Sequence, residues 1–189
     1  MKFVKLAAVV SAIASPVMAD EFAPLMRDYL ETSIATWAQS DVLIQAISAQ
    51  NAQTMGYDQA QIDALDLAWR AEVGTGSTPT ITPVITSAAA DFLRQQVEAS
   101  GGRITEVFIM DARGLNVAAS EVTSDFWQGD EEKFTETHGI GPGSIHISDV
   151  EFDESTQRYQ GQISLTITDP ATGAPIGAMT VGVDADSLM

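Results

Sequence analysis

The side chains able to do chemistry crowd into the second half of this chain. Trp127 stands between Asp125 and Asp130, an aromatic face flanked by carboxylates, which is a pairing that receives a cationic group. Lys133 and Arg158 offer positive charge for a carboxylate, and an arginine grips one through two parallel hydrogen bonds. His146 and Asp149 lie three residues apart near Tyr159, and Gln162 falls on the polar side of an alternating run. The candidate ligand-binding set is therefore Asp125, Trp127, Asp130, Lys133, His146, Asp149, Tyr159 and Gln162. Each also has a plainer reading. Trp127 would plug a sheet edge, His146 would be a satisfied sheet histidine, and the charges would be solvated. Asp111 belongs to the fold, closing a turn with its own side chain.

Other chemistries lack their residues. The chain has no cysteine, no Gly-x-Ser-x-Gly elbow and no glycine-rich phosphate loop. Its two histidines and scattered serines do not define a triad. No enzymatic activity and no cofactor are expected. His146, Asp149, Glu151 and Asp153 carry metal-binding donors without a spacing that sets a coordination geometry. Whether the acidic run 149–154 holds a calcium ion or is a solvated edge stays open, and no metal site is assigned.

The residues ahead of this half read as targeting and support. Lys2, Lys5, the apolar run 6–14, Pro16 and the small residues before Asp20 have the plan of a secretory signal peptide. The apolar run is far short of the ~20 residues that span a bilayer. Removing 19 of the 189 residues leaves 170, enough for one domain, 20–189, with its own core. Loss of Lys2 and Lys5 reduces nine basic residues to seven against 26 acidic, a net charge of −19. Nucleic acid and anionic lipid are excluded as partners, because both require clustered Lys and Arg. An anionic ligand would need a local cationic pocket.

Phe22, Leu25, Met26, Tyr29, Leu30, Ile34 and Trp37 recur at three- and four-residue spacing, predicting an amphipathic helix from residue 21. It breaks or kinks near Ser40, whose oxygen can cap the next turn, and stops at Gly56. Asp58 with Gln61 reads as a capping pair opening a second helix, residues 74–83 as a loop, and Ser87 as the start of a third helix that ends at Gly101 and Gly102. From there the period becomes two. Strands are predicted at 104–110, 115–119, 144–152, 159–168 and 176–184. The third slips in parity near Ser148, the sign of a bulge. A helical turn is expected at 131–138 and a hairpin at 153–157. On the last strand Ala178, Thr180 and Gly182 make one face small, leaving room for close approach. The fold class is α+β: helices over 20–102, then a five-stranded antiparallel sheet over 103–189. The leading helix is expected on one sheet face and a pocket, closed by the loops around Trp127 and Gly139, on the other.

Four phrases in this order, "VFIMDARGLNVAAS", "TSDFWQGDEEKF", "ISDVEFDESTQRYQGQISLTI" and "PIGAMTVGVDADSL", preceded by "SDVLIQAISAQN", resemble the single-Cache (PDC sensor) domains, PAS-like and extracytoplasmic. The resemblance implies a long N-terminal helix, a five-stranded sheet and a pocket facing the loop after the second strand. It also implies recognition of a small organic acid, amino acid or amine. The expected function is that of a periplasmic sensory domain binding such a metabolite and acting through a partner, a membrane sensor kinase, chemoreceptor or transporter. No membrane span or output module follows Met189, so a freestanding binding partner is expected. The alternative is a protein-interaction module that uses the N-terminal helix, as in a homodimer, with no small ligand.

Overall fold

The computed structural model describes residues 19–153 and 158–189. The expected signal peptide and the tip of the acidic hairpin therefore lie outside the described residues. Helix α1 (Ala19–Thr32) buries Phe22, Met26 and Leu30 along one side. A 3-10 turn, Ile34–Thr36, extends that stripe to Ile34 and Ala38, both fully buried. Each large apolar side chain so buried contributes roughly 1.5–3 kcal/mol. The chain restarts at α2 (Asp41–Thr54) with Ser40 as its N-cap residue, but the Ser40 hydroxyl makes no capping bond. The expected break at Ser40 is thus a short irregular segment, not a kink.

The predicted capping pair is present at α3 (Gln59–Glu72), where the Asp58 carboxylate accepts from the Gln61 amide at 2.9 Å and the Gln61 side chain accepts from the Asp58 amide at 3.0 Å. The supposed loop after it differs from expectation: helix α4 (Ile81–Ile85) starts inside it. Its first amides are capped from a distance. The Glu72 carboxylate accepts from Thr80 N at 2.8 Å and Ile81 N at 3.0 Å. Helix α5 (Ala88–Ala99) opens at Ser87, whose hydroxyl accepts from Ala90 N at 3.1 Å.

The second half forms one antiparallel sheet. Its strands are β1 (Ile104–Asp111), β2 (Asn116–Ala119), β3 (Ile145–Ile147), β4 (Glu151–Asp153), β5 (Arg158–Thr168) and β6 (Pro175–Asp184), in the order β2-β1-β6-β5-β3, with β4 also on β5. One short helix, α6 (Glu132–Thr135), lies between β2 and β3. The expected third strand is interrupted, which makes six strands of five: β3 and β4 pair with successive stretches of β5. At the interruption Ser148 bonds Gln162 twice, its amide donating to Gln162 O at 2.9 Å and its hydroxyl accepting from Gln162 N at 2.8 Å. From Ile147↔Ile163 to Glu151↔Gln160 the β3–β4 side advances four residues against three on β5, and that extra residue is the parity slip.

The sheet's two faces have different covers. Val107, Ile109, Ile163, Ile167, Met179, Val181 and Val183 pack beneath α1, α2 and α5. On the opposite face, Phe108, Met110 and Ala178 are covered by Ile62 and Trp69 of α3, Ile81 and Val84 of α4, and Phe126 and Phe134. This corrects the expectation that loops alone close the second face. The cover from α3 and α4 stops short of β5, where the short α6 approaches. There the second face carries Glu106, Gln162, Ser164, Thr180 and Gly182, and beyond Ser164 and Thr180, which hydrogen-bond each other at 3.0 Å, it opens to solvent.

Candidate functional site

The β1–β2 turn shows how tightly the frame is tied. Asp111 is fully buried. One carboxylate oxygen accepts from Arg113 N at 2.8 Å and Leu115 N at 3.0 Å, the other from Thr54 Oγ1 at 2.7 Å and Gln50 Nε2 at 3.0 Å. Asn51 adds bonds from α2 to Ile176 O at 2.7 Å and from Ala112 N at 2.8 Å. Asp111 is the fold residue the turn reading expects.

On the open part of the second face lies a cleft of about 570 Å³. Its floor is Glu106 of β1, Gln160 and Gln162 of β5, and Gly182 of β6; Ser148, Asp149, Glu151, Phe152 and Glu132 form its walls. Sharing Glu132, Ser148 and Gln162, a second lobe of about 360 Å³ continues it toward Asp130, Glu131, Lys133 and His146. Gly182 lets the Thr105 and Glu106 side chains pack close against the floor: a β-carbon there would lie 2.6 Å from Thr105 Oγ1 and 2.8 Å from Glu106 Cγ.

Glu106 dominates this floor electrically. Burial pushes its carboxyl above the usual carboxylate range; Lys133 opposes the shift, Glu121 adds to it, and a hydrogen bond with the Gln162 side chain opposes it. Lys133 Nζ lies 2.9 Å from Glu131 Oε2, 3.2 Å from Gln128 Oε1 and 5.5 Å from the Phe108 ring centroid. His146 Nε2 lies 3.6 Å from Glu132 Oε2, and its Nδ1 is buried without a partner among the described residues.

The predicted site residues divide among three places. Lys133, His146, Asp149 and Gln162 border the two-lobed cleft, with Asp130 at its edge. Asp125 and Trp127 do not; they line a separate cleft of about 530 Å³ against α3, shared with Asp63, Asp66, Leu67, Arg70, Asp130 and Glu131. Their orientation has a local cause. The Trp127 indole N–H donates to Arg113 O at 2.8 Å, and the amides of Phe126 and Trp127 both donate to Asp66 Oδ1, at 2.8 and 3.1 Å. Arg70 also holds two carboxylates of this second cleft, Asp66 at 2.8 Å and Asp125 at 3.5 Å. Tyr159 is corrected outright. It lies on the helix-facing side of β5, stacked on Phe22 at 6.2 Å, opposite to Gln162. Arg158 pairs with Asp184 at 2.6 Å.

Glu106, Gln160 and Glu132 are the cleft residues that the sequence reading passed over. The signal for Glu106 was present: ahead of the turn residue Asp111, it and Thr105 are the exceptions in an otherwise apolar strand. Among the described residues no group of three or more His, Asp or Glu side chains is placed to hold a metal ion. No helix among them is long and apolar enough to cross a membrane.

No protein-family model matches the chain, and no curated protein does. Solved structures do. The sensor domain of the histidine kinase DctB from V. cholerae superposes with a TM-score of 0.50 at 13% identity, over 91% of this chain and 55% of that one. The sensory domain of the Campylobacter jejuni chemoreceptor Tlp3 with isoleucine bound gives 0.40 at 15% identity, over 93% and 66%. The ligand-binding domain of the Pseudomonas aeruginosa amino acid chemoreceptor PctC in complex with GABA gives 0.38 at 10%, over 78% and 60%. The chain thus spans between 55% and 66% of the length of these three proteins. Helices on one side, an antiparallel sheet with β6 at its centre, and partial cover of the second face give this chain the fold of the extracytoplasmic Cache (PDC) sensor domains.

Proposed function

We propose that this chain is a periplasmic sensory domain that binds a small polar metabolite, of the size of an amino acid, amine or small organic acid, and acts through a partner protein. The observation that carries the reading is the cleft of about 570 Å³ on the second sheet face, beyond the cover of α3 and α4 and beside the short helix α6. A concave site with a few convergent polar groups on a rigid sheet is where small ligands bind. Glu106 and Gln162 are the orienting groups; Lys133, His146 and Asp149 stand at the rim. The fold supports the same reading, since DctB's matched region is a sensor domain. The partner would be a membrane kinase, chemoreceptor or transporter, and no catalytic step is assigned.

The rival reading, docking through the N-terminal helix, has less to stand on. The apolar stripe of that helix, Phe22, Met26, Leu30 and Ile34, is 0–3% exposed and packed in the core.

A thermal-shift screen of amino acids, amines and organic acids tests the proposal. A ligand that binds only the folded state adds RT ln(1 + [L]/Kd), about 2.7 kcal/mol at a hundredfold excess over Kd. A hit is expected to lose its shift in Gln162→Leu and keep it in Tyr159→Phe. A silent panel, or a hit indifferent to Gln162, contradicts it.

A further inference from the structure

Resting on the reading of the sheet-face cleft as the ligand site, its charge specifies the class of ligand. The main lobe presents the carboxylates of Glu106, Glu132, Asp149 and Glu151 and no lysine or arginine. In the adjoining lobe Lys133 is already matched by Glu131 at 2.9 Å, and His146 Nε2 lies 3.6 Å from Glu132 Oε2. Glu106 is different. It is mostly buried on a central strand, and no cationic side chain among the described residues comes within ion-pairing distance of it. Gly182, with no side chain of its own, lets the Glu106 side chain lie against the cleft floor. Lys133 acts on Glu106 only from beyond pairing distance and does not offset its burial; a largely desolvated carboxylate is unfavourable, and an incoming cation relieves it.

The neighbouring cleft lacks this arrangement. Asp66 and Asp125, its two innermost acids, already hold Arg70.

We propose that the cleft takes a small organic amine, its ammonium group on Glu106, and that diamines bind best because Asp149 and Glu151 receive the second charge at the mouth. Dicarboxylic acids are excluded by the same four carboxylates. The groups facing Glu106 are Lys133 and Glu132 from α6, Glu121 after β2, Gln162 from β5, and Asp149 and Glu151 across the cleft. An ammonium ion favours ionised Glu106, so binding expels any proton the free carboxyl holds, and affinity falls as the pH is lowered into the acidic range.

Calorimetric titration of the full chain at pH 8 and pH 5 with 1,4-diaminobutane, butylamine and succinate tests this. The expected order is diamine over monoamine, with no heat from succinate. Glu106→Gln should weaken the diamine at least tenfold and flatten its pH dependence, whereas Asp63→Asn, in the neighbouring cleft, should leave it unchanged. Circular dichroism verifies that both variants are folded. Succinate binding that Lys133→Ala abolishes would overturn the charge assignment while leaving the cleft as the ligand site. Diamine binding that follows Asp63 and not Glu106 would overturn the placement. If amines, amino acids and organic acids are all silent, the underlying reading fails and takes this inference with it.

Discussion

Two carboxylates on β1 should respond oppositely to removal, and Asp111 gives the larger effect. Asp111→Ala removes an acceptor of four hydrogen bonds. Two of the donors have other acceptors: Thr54 Oγ1 reaches Gln50 O at 3.1 Å, and Gln50 Nε2 reaches Asn116 O at 3.2 Å and Leu115 O at 3.3 Å. The loss therefore concentrates on the Arg113 and Leu115 amides. A buried donor left unsatisfied costs about 1–3 kcal/mol, so the expected destabilisation is about 3–4 kcal/mol, a large share of a typical ~5–15 kcal/mol. Asp111→Asn keeps one oxygen for the two amides and should lose about half as much. Urea unfolding followed by tryptophan fluorescence reads this directly. Trp69 is fully buried, stacked on Phe126 at 5.3 Å and bonded to Thr123 O at 2.9 Å, so its emission reports loss of this region. Glu106→Gln is the contrast: removing a charge that burial disfavours should leave stability at pH 7 unchanged or raised. An Asp111→Ala loss below about 1 kcal/mol, or an asparagine variant as unstable as the alanine one, would refute the assignment of Asp111 as the tie of this turn.

Gly114 has φ +77°, and a β-carbon there would lie 2.5 Å from Gly129 Cα, so Gly114→Ala is expected to destabilise by about 1–3 kcal/mol or more in the same urea titration. Trp127→Ala should lower the melting temperature, since the indole ties its loop to Arg113 O, yet leave ligand affinity at the sheet-face cleft unchanged by calorimetry. His138 stacks on Phe134 at 4.9 Å, and burial pushes its pKa below 6.5, with Asp111 opposing. Between the folded and unfolded values the unfolded chain binds more protons, so stability is full above about pH 6.5 and declines below it. Denaturation midpoints from pH 8 to pH 5 should show that decline, and His138→Phe should reduce it.

Local signals carried most of the framework. The alternation along β5 and β6 predicts both faces correctly, and the Asp58–Gln61 pair marks a real helix start. What escaped is non-local. The α4 cap comes from Glu72, eight residues upstream of Thr80, so a stretch rich in Gly, Thr and Pro reads as loop. The direction of Trp127 depends on Arg113 O and Asp66, distant in sequence. That α3 and α4 cross to the second face cannot be told from their own stripes, which specify that a side is buried and not against what. Two misses were avoidable. Tyr159 shares strand parity with Ile163 and opposes Gln162, so the two could not line one site. Glu106, a charge within an apolar central strand, marked the cleft floor more plainly than the conspicuous tryptophan did.

The most direct measurement is a crystal structure of the chain with 1,4-diaminobutane. The account predicts ligand density over Gly182 with an ammonium nitrogen about 3 Å from the Glu106 carboxylate and the Trp127 cleft empty. Density beside Trp127 and Arg70, with the sheet-face cleft unoccupied, would contradict it.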